Sequence, residues 1–184
     1  DGRSIVFADG ELQVVEVPSG RCRPLKTGLS SHEFPLWSPD GRWIYFNSRA
    51  EGVWRVYRTP ARGGPLEPVT VKGGRLLAIS PTDLRLYVVR NDALWAIPSG
   101  GGEALQVLDV APRHVVTTER GFLYSLVVPA SVIRYFDLDS QRSTLVAELD
   151  RWTAGFSVSP DGRRLAYGLF GSTRADLMLV EGFR

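Results

Sequence analysis

With 184 residues, 43% apolar and 10% aromatic, the chain is long enough to enclose a core and too apolar for a disordered polymer. Its 22 basic and 20 acidic residues are scattered along the whole length; the net charge of +2 comes with no basic tail of the kind that binds nucleic acid, and no apolar run approaches the roughly 18 residues of a membrane span. Cys22 is the single cysteine, which excludes an internal disulfide and a thiolate metal cluster.

In chain order, the first predicted element is a strand in Asp1-Gly2-Arg3-Ser4-Ile5-Val6-Phe7, with no basic-then-apolar leader ahead of it. Phe34 to Trp37 follows as a short inner strand. Ser38, Pro39, Asp40 and Gly41 then form a turn in which Pro fixes φ and Gly accepts a positive φ. Arg42 to Asn47 is the next strand, Ser48 to Gly52 a loop, Val53 to Thr59 a third strand, and Pro65 to Thr70 an outer one. The same grammar returns further on. Leu94 to Ile97, Val132 to Leu138 and Asp176 to Val180 match the third strand, and Leu105 to Val110 and Thr144 to Leu149 match the outer one. Inner strands are predicted at Leu76 to Ile79, Val115 to Thr118 and Phe156 to Val158.

The turn itself repeats. Ser38-Pro39-Asp40-Gly41-Arg42 returns as Ser159-Pro160-Asp161-Gly162-Arg163, with a worn copy at Ser80-Pro81-Thr82-Asp83-Leu84 and a weaker one at Glu119-Arg120-Gly121. Aligned on these turns, Val6, Tyr45, Tyr87, Tyr124 and Tyr167 are equivalent, at spacings of 39, 42, 37 and 43 residues. A period near 40 with strand-like content indicates β-propeller blades, and the dense Gly and Pro punctuation rules out helical repeats. The expected fold is therefore all-β, a propeller of four-stranded antiparallel blades. The expected units are 1–33, 34–74, 75–114, 115–155 and 156–184, three complete and two three-stranded. A part of a larger propeller is the favoured reading of that count, and an isolated five-blade ring is the alternative. The repeated tyrosines are expected to pack between blades.

Residues suited to chemistry are sparse. There is no Gly-x-Ser-x-Gly elbow, no phosphate loop and no Gly-x-Gly-x-x-Gly. Gly100-Gly101-Gly102 falls where a turn is expected. Asp137-Leu138-Asp139-Ser140 begins like a calcium loop but lacks its Gly and its distal Glu, so a hairpin turn is expected. His32 and His114 are too few for a three-ligand zinc site and are expected to be surface-loop residues. No cofactor, no metal and no catalysis are expected.

The stretch Phe34-Pro35-Leu36-Trp37-Ser38-Pro39-Asp40-Gly41-Arg42-Trp43-Ile44-Tyr45-Phe46-Asn47-Ser48, continued by Val53 to Thr70 with Gly63-Gly64 before Pro65, resembles the repeat of TolB-like propellers. The resemblance spans essentially the whole chain, strong in two copies and worn in three. It implies a bacterial protein-interaction or sensing module, periplasmic or attached to a cytoplasmic signalling protein. The same likeness extends to gating propellers of prolyl-oligopeptidase-type hydrolases, which is the alternative function.

In such a fold the loops leading into inner strands and those joining second to third strands share one face. His32, Arg49, Lys72, Arg113, His114, Arg151, Trp152 and Arg174 fall on those loops, against Asp9, Glu33, Glu51, Asp92 and Asp176. The expectation is a basic face that receives an acidic protein or peptide partner by charge-assisted hydrogen bonds and steering. Self-association through open blade edges is a further expectation.

Overall fold

The computed structural model describes residues 2–127, 131–151, 153–159, 162–170 and 175–181. Within them the chain is all-β: eighteen strands in five antiparallel sheets, each sheet a meander in chain order. Two compact units divide the chain, Asp1–Asp109 and Val110–Arg184.

The first unit holds three sheets. They are β1 (Ser4–Asp9), β2 (Glu11–Glu16) and β3 (Cys22–Leu25); β4 (Glu33–Trp37), β5 (Trp43–Ser48), β6 (Arg55–Pro60) and β7 (Glu67–Pro68); and β8 (Arg75–Ile79), β9 (Leu86–Arg90), β10 (Ala93–Ile97) and β11 (Leu105–Leu108). The second unit holds two. They are β12 (His114–Thr117), β13 (Gly121–Leu126), β14 (Val132–Asp137) and β15 (Arg142–Glu148); and β16 (Thr153–Val158), β17 (Arg164–Phe170) and β18 (Ala175–Glu181).

The middle strand β5 is apolar on both faces because each face meets another sheet. In β5, Ile44 and Phe46 pack toward the first sheet with Leu12, Val14, Leu25 and Tyr57, while Tyr45 between them packs toward the third with Val56, Leu76, Leu86 and Val88. The period-2 alternation of a strand thus serves two cores at once. In the second unit Leu123, Ile133, Leu165 and Tyr167 form the corresponding core. Tyr45, Tyr87, Tyr124 and Tyr167 are all buried, each on the second strand of its unit.

Several boundaries differ from expectation. The outer strand expected at Pro65 to Thr70 shrinks to Glu67–Pro68, because Pro65 and Pro68 have no N–H to give a ladder. Its remaining bonds go to single groups: Val69 N–H donates to the Val56 carbonyl, and Val56 N–H to Thr70 Oγ1. Glu33 opens β4 and His114 opens β12, each one residue before the expected unit limit. The last inner strand starts at Thr153 rather than Phe156, because a register shift between Thr153 and Gly155 lets pairing with β17 continue past the irregularity.

The repeated turn closes the same way three times. Ser38, Ser80 and Ser159 N–H groups donate to the carbonyls of Trp43, Arg85 and Arg164, five residues on in each case. In the first copy Ser38 Oγ donates to Asp40 Oδ1 at 2.6 Å and accepts from the Trp43 N–H at 2.9 Å. Gly41 takes the left-handed φ of 68° there. The copy at Ser80 and Pro81 has Leu84 at φ 58° instead, one position later than glycine stands in the first turn. In the third copy Ser159 and Gly162 keep the pattern, while Pro160 and Asp161 lie outside the described residues.

Candidate interaction face at the inner strands

His32 corrects one expectation outright. It is a buried residue, 8% exposed, rather than a surface-loop histidine. Its Nδ1–H donates to the Gly10 carbonyl at 3.0 Å, so Nε2 is the acceptor for the Thr27 hydroxyl at 2.5 Å, and its ring lies 5.2 Å from that of Phe46. Both nitrogens are consumed in joining the β1–β2 turn to the start of β4, and nothing is left for a partner.

Arg49 and Lys72 are exposed on the first unit. The Arg49 N–H receives support from Ser31 Oγ at 3.0 Å, and its Nε donates to the Gly52 carbonyl at 3.2 Å, so the side chain also closes its own loop. Lys72 follows Val71, which is 91% exposed, in a loop tied down by Gly74 N–H to the Trp54 carbonyl at 2.9 Å. Asp9 at the end of β1, Glu33 at the start of β4, and Glu51 and Asp92 in loops are exposed on this unit, and Glu51 is paired with Arg55. With His32 withdrawn, this part of the face carries no excess of positive charge.

The second unit keeps the pattern better. Arg113 is exposed immediately before β12, and Arg151 is exposed two positions before β16. These two inner strands lie side by side: the His114 ring meets Phe156 edge-on, with centroids 6.4 Å apart at 81°. His114 Nδ1 also sits 3.2 Å from Ser125 Oγ, and Arg113 N–H donates to the Ser125 carbonyl at 2.9 Å. Trp152 and Arg174 lie outside the described residues.

Sequence reasoning missed several residues. Phe34, 59% exposed, adopts φ 49° at a bulge between Glu33 and Leu36, an uncommon conformation for a bulky side chain. Asn47, fully buried, grips the backbone of β8: its Nδ2 donates to the Leu76 carbonyl at 3.0 Å and its Oδ1 accepts from the Leu76 N–H at 2.7 Å. A polar residue inside the apolar run of β5 was the available signal. A cleft of about 130 Å³ on the turn side of the second and third sheets is lined by Asp40, Trp43, Tyr45, Arg58, Leu84 and Ser99. Its charged groups are already engaged: Arg42 pairs with Asp40, and Arg58 lies 4.3 Å over the Trp43 ring, donates to Glu67 through Nε at 2.8 Å and to the Ser99 carbonyl through Nη1 at 3.0 Å.

Ionisation follows the same local logic. The hydroxyl of Ser38, then the backbone and side chain of Arg42, hold the Asp40 carboxyl down at about 2. Burial, aided by nearby Asp83, pushes the Tyr87 phenol up to about 12. Asp137 is held low by the backbone and hydroxyl of Ser140, both donating to its Oδ1 at 2.7 Å, which makes this segment the hairpin turn expected in place of a calcium loop.

No family model matches the chain. An uncharacterized protein of Agrobacterium fabrum is 35% identical over 125 residues, covering 64% of this chain and 43% of the relative, so the chain spans less than half the length of that curated protein. Among solved structures, a candidate TolB from Agrobacterium tumefaciens superposes over 100% of this chain and 74% of its own, with a TM-score of 0.83 at 14% identity. The fold is the TolB-type β-propeller. TolB from Acinetobacter baumannii matches over 97% of this chain and 50% of its own at a TM-score of 0.74 and 14% identity. A chain of a nidogen/laminin complex matches over 98% and 79% at 0.78 and 13%. The TolB-like resemblance of the repeat is thereby matched in three dimensions.

Proposed function

We propose that this TolB-type propeller is a protein-interaction module of a bacterial envelope or signalling protein, with no catalysis of its own, and that it receives an acidic segment of its partner. The observation that carries this reading is the placement of Arg113 and Arg151 at the start of adjacent inner strands, where two guanidinium groups can meet carboxylates bidentately. The match to a propeller solved in a nidogen/laminin complex supports a protein partner over a small molecule. A fluorescent hexaglutamate peptide, titrated by anisotropy at low salt, is the direct test. Arg113→Ala combined with Arg151→Ala is expected to weaken its binding about tenfold or more, as charge-assisted contacts are lost. The melting temperature should fall by only a few degrees, since both residues are exposed. Equal binding by the double variant would remove the arginine pair from the proposal.

A further inference from the structure

Within the first unit, four arginines of the second and third sheets come with acids of their own: Arg42 with Asp40, Arg55 with Glu51, Arg58 with Glu67 and Arg85 with Asp83. The seam between the first and second sheets departs from this. Arg23 on β3 is half-buried, and its Nη2 donates to the Ala61 carbonyl in the turn after β6. Ala61 belongs to the core that also holds Leu25, so the guanidinium is fastened to a packed part of the second sheet. Arg62 follows Ala61, and Arg21 stands two positions before Arg23; both are exposed. None of these three arginines enters an ion pair among the described residues. Of the acids nearest in the chain, Glu16 accepts from the Ser19 hydroxyl and Glu67 is taken by Arg58.

Such an arrangement costs stability. A half-buried guanidinium is normally neutralised by a carboxylate, and further cations close by raise its energy rather than lower it. Positions two apart in an extended chain are about 7 Å apart. Arg62 is bonded to the residue whose carbonyl Arg23 holds, so long side chains from all three positions can reach one small group. One Nη2–H of Arg23 is committed, and its remaining donors make no bond elsewhere among the described residues. Three such groups attract an anion. A carboxylate brings one charge against three, whereas a phosphate monoester brings close to two, with three acceptor oxygens in a geometry that guanidinium forks match.

We propose that Arg21, Arg23 and Arg62 form a binding site for a phosphate monoester group, with Arg23 as the fixed guanidinium and the two exposed arginines closing on the same oxygens. The group can be carried by a soluble small molecule or by the headgroup of a lipid. The site is separate from Arg113 and Arg151, which belong to the second unit.

Phenyl phosphate supplies the group in solution, and phosphatidylcholine vesicles containing phosphatidic acid supply it on a surface. At constant ionic strength the soluble probe should shift, saturably, the backbone amide resonances of Arg21, Arg23 and Arg62, or the vesicles should sediment the chain; the arm that responds names the source. Arg21→Gln with Arg62→Gln should weaken that binding at least ~10-fold. Its circular dichroism should match the wild type, because both residues are exposed. Acidification to about pH 5 protonates the phosphate, whose second pKa is about 6, and should weaken binding several-fold. Binding that survives Arg113→Ala with Arg151→Ala separates this site from the acidic-segment reading. Silence in both arms would overturn the proposal. So would equal binding by the Arg21 and Arg62 double variant, or shifts that chloride reproduces at the same concentration, which would mean an adventitious ion only.

Discussion

Two places where a sheet meets its surroundings behave differently. Between the second and third sheets, three polar side chains reach across to particular backbone atoms: Asn47 to both groups of Leu76, and Tyr45 and Arg58 to the Ser99 carbonyl. On β18 the apolar Leu177, Met178 and Leu179 are 81%, 42% and 60% exposed, with no such bond described across them. The strands are alike; their partners differ. Apolar area makes any two such faces adhere, but only directional bonds to the backbone specify which sheet goes where, so the first boundary is a built joint.

The largest effect should come from breaking the built joint. Asn47→Leu keeps roughly the same volume but leaves the Leu76 N–H and carbonyl facing a hydrocarbon in a fully buried place. An unsatisfied buried group costs on the order of 1 to 3 kcal/mol, so a loss near 3 kcal/mol is expected in denaturant titration, with the slope unchanged. Leu177→Ala on β18 should cost under about 0.5 kcal/mol, since that side chain is already mostly in water. Similar losses at both positions would mean that the two boundaries are not different in kind.

That joint also marks how far the sequence could be read. The repeated Ser-Pro-Asp-Gly turn announces itself through residues that each have one local job, so the period, the strand succession and the fold class follow from nearest neighbours. His32 shows the opposite case. Its burial depends on Gly10, twenty-two positions earlier, arriving beside it through a turn that the first sheet places there. Nothing in the local pattern of Ser31-His32-Glu33 separates a buried histidine from an exposed one. His32 leaves the candidate face for the same reason: counting residues on loops takes no account of which side chains are consumed by internal bonds, as His32 is. The short β7 was legible in principle, because Pro65 and Pro68 both withhold N–H groups.

A smaller effect is expected at the worn turn beside the joint. Leu84 holds a left-handed backbone that glycine or asparagine tolerates and leucine does not, while half of its side chain rests in the cleft with Trp43. Leu84→Asn exchanges part of that contact for relief of strain, and a net gain of about 0.5 kcal/mol is expected. The corresponding Gly41→Ala, at φ 68° with open space around the added methyl, should lose about 1 kcal/mol for backbone reasons alone. Thermal melts of the two variants should therefore move in opposite directions, and movement in the same direction would show that the cleft contact of Leu84, rather than its backbone, decides.

The smallest effect separates the two turns by pH. The Asp40 carboxyl sits at about 2 in the folded chain, below its ordinary value near 4, because Ser38 and Arg42 bond to its charged form. A depressed folded value means that the stabilisation is complete above about pH 4 and drains away as pH falls through 2, since protons then bind the unfolded chain more readily than the folded one. The turn is solvent-accessible, so the contribution is screened and modest. Asp40→Asn should flatten the acid limb of the stability curve between about pH 4 and 2 while leaving the neutral plateau lower by less than ~1 kcal/mol. An acid limb of the same slope in both proteins would place the acid sensitivity at other carboxylates and reduce the Ser38–Asp40–Arg42 network to a shape-setting role.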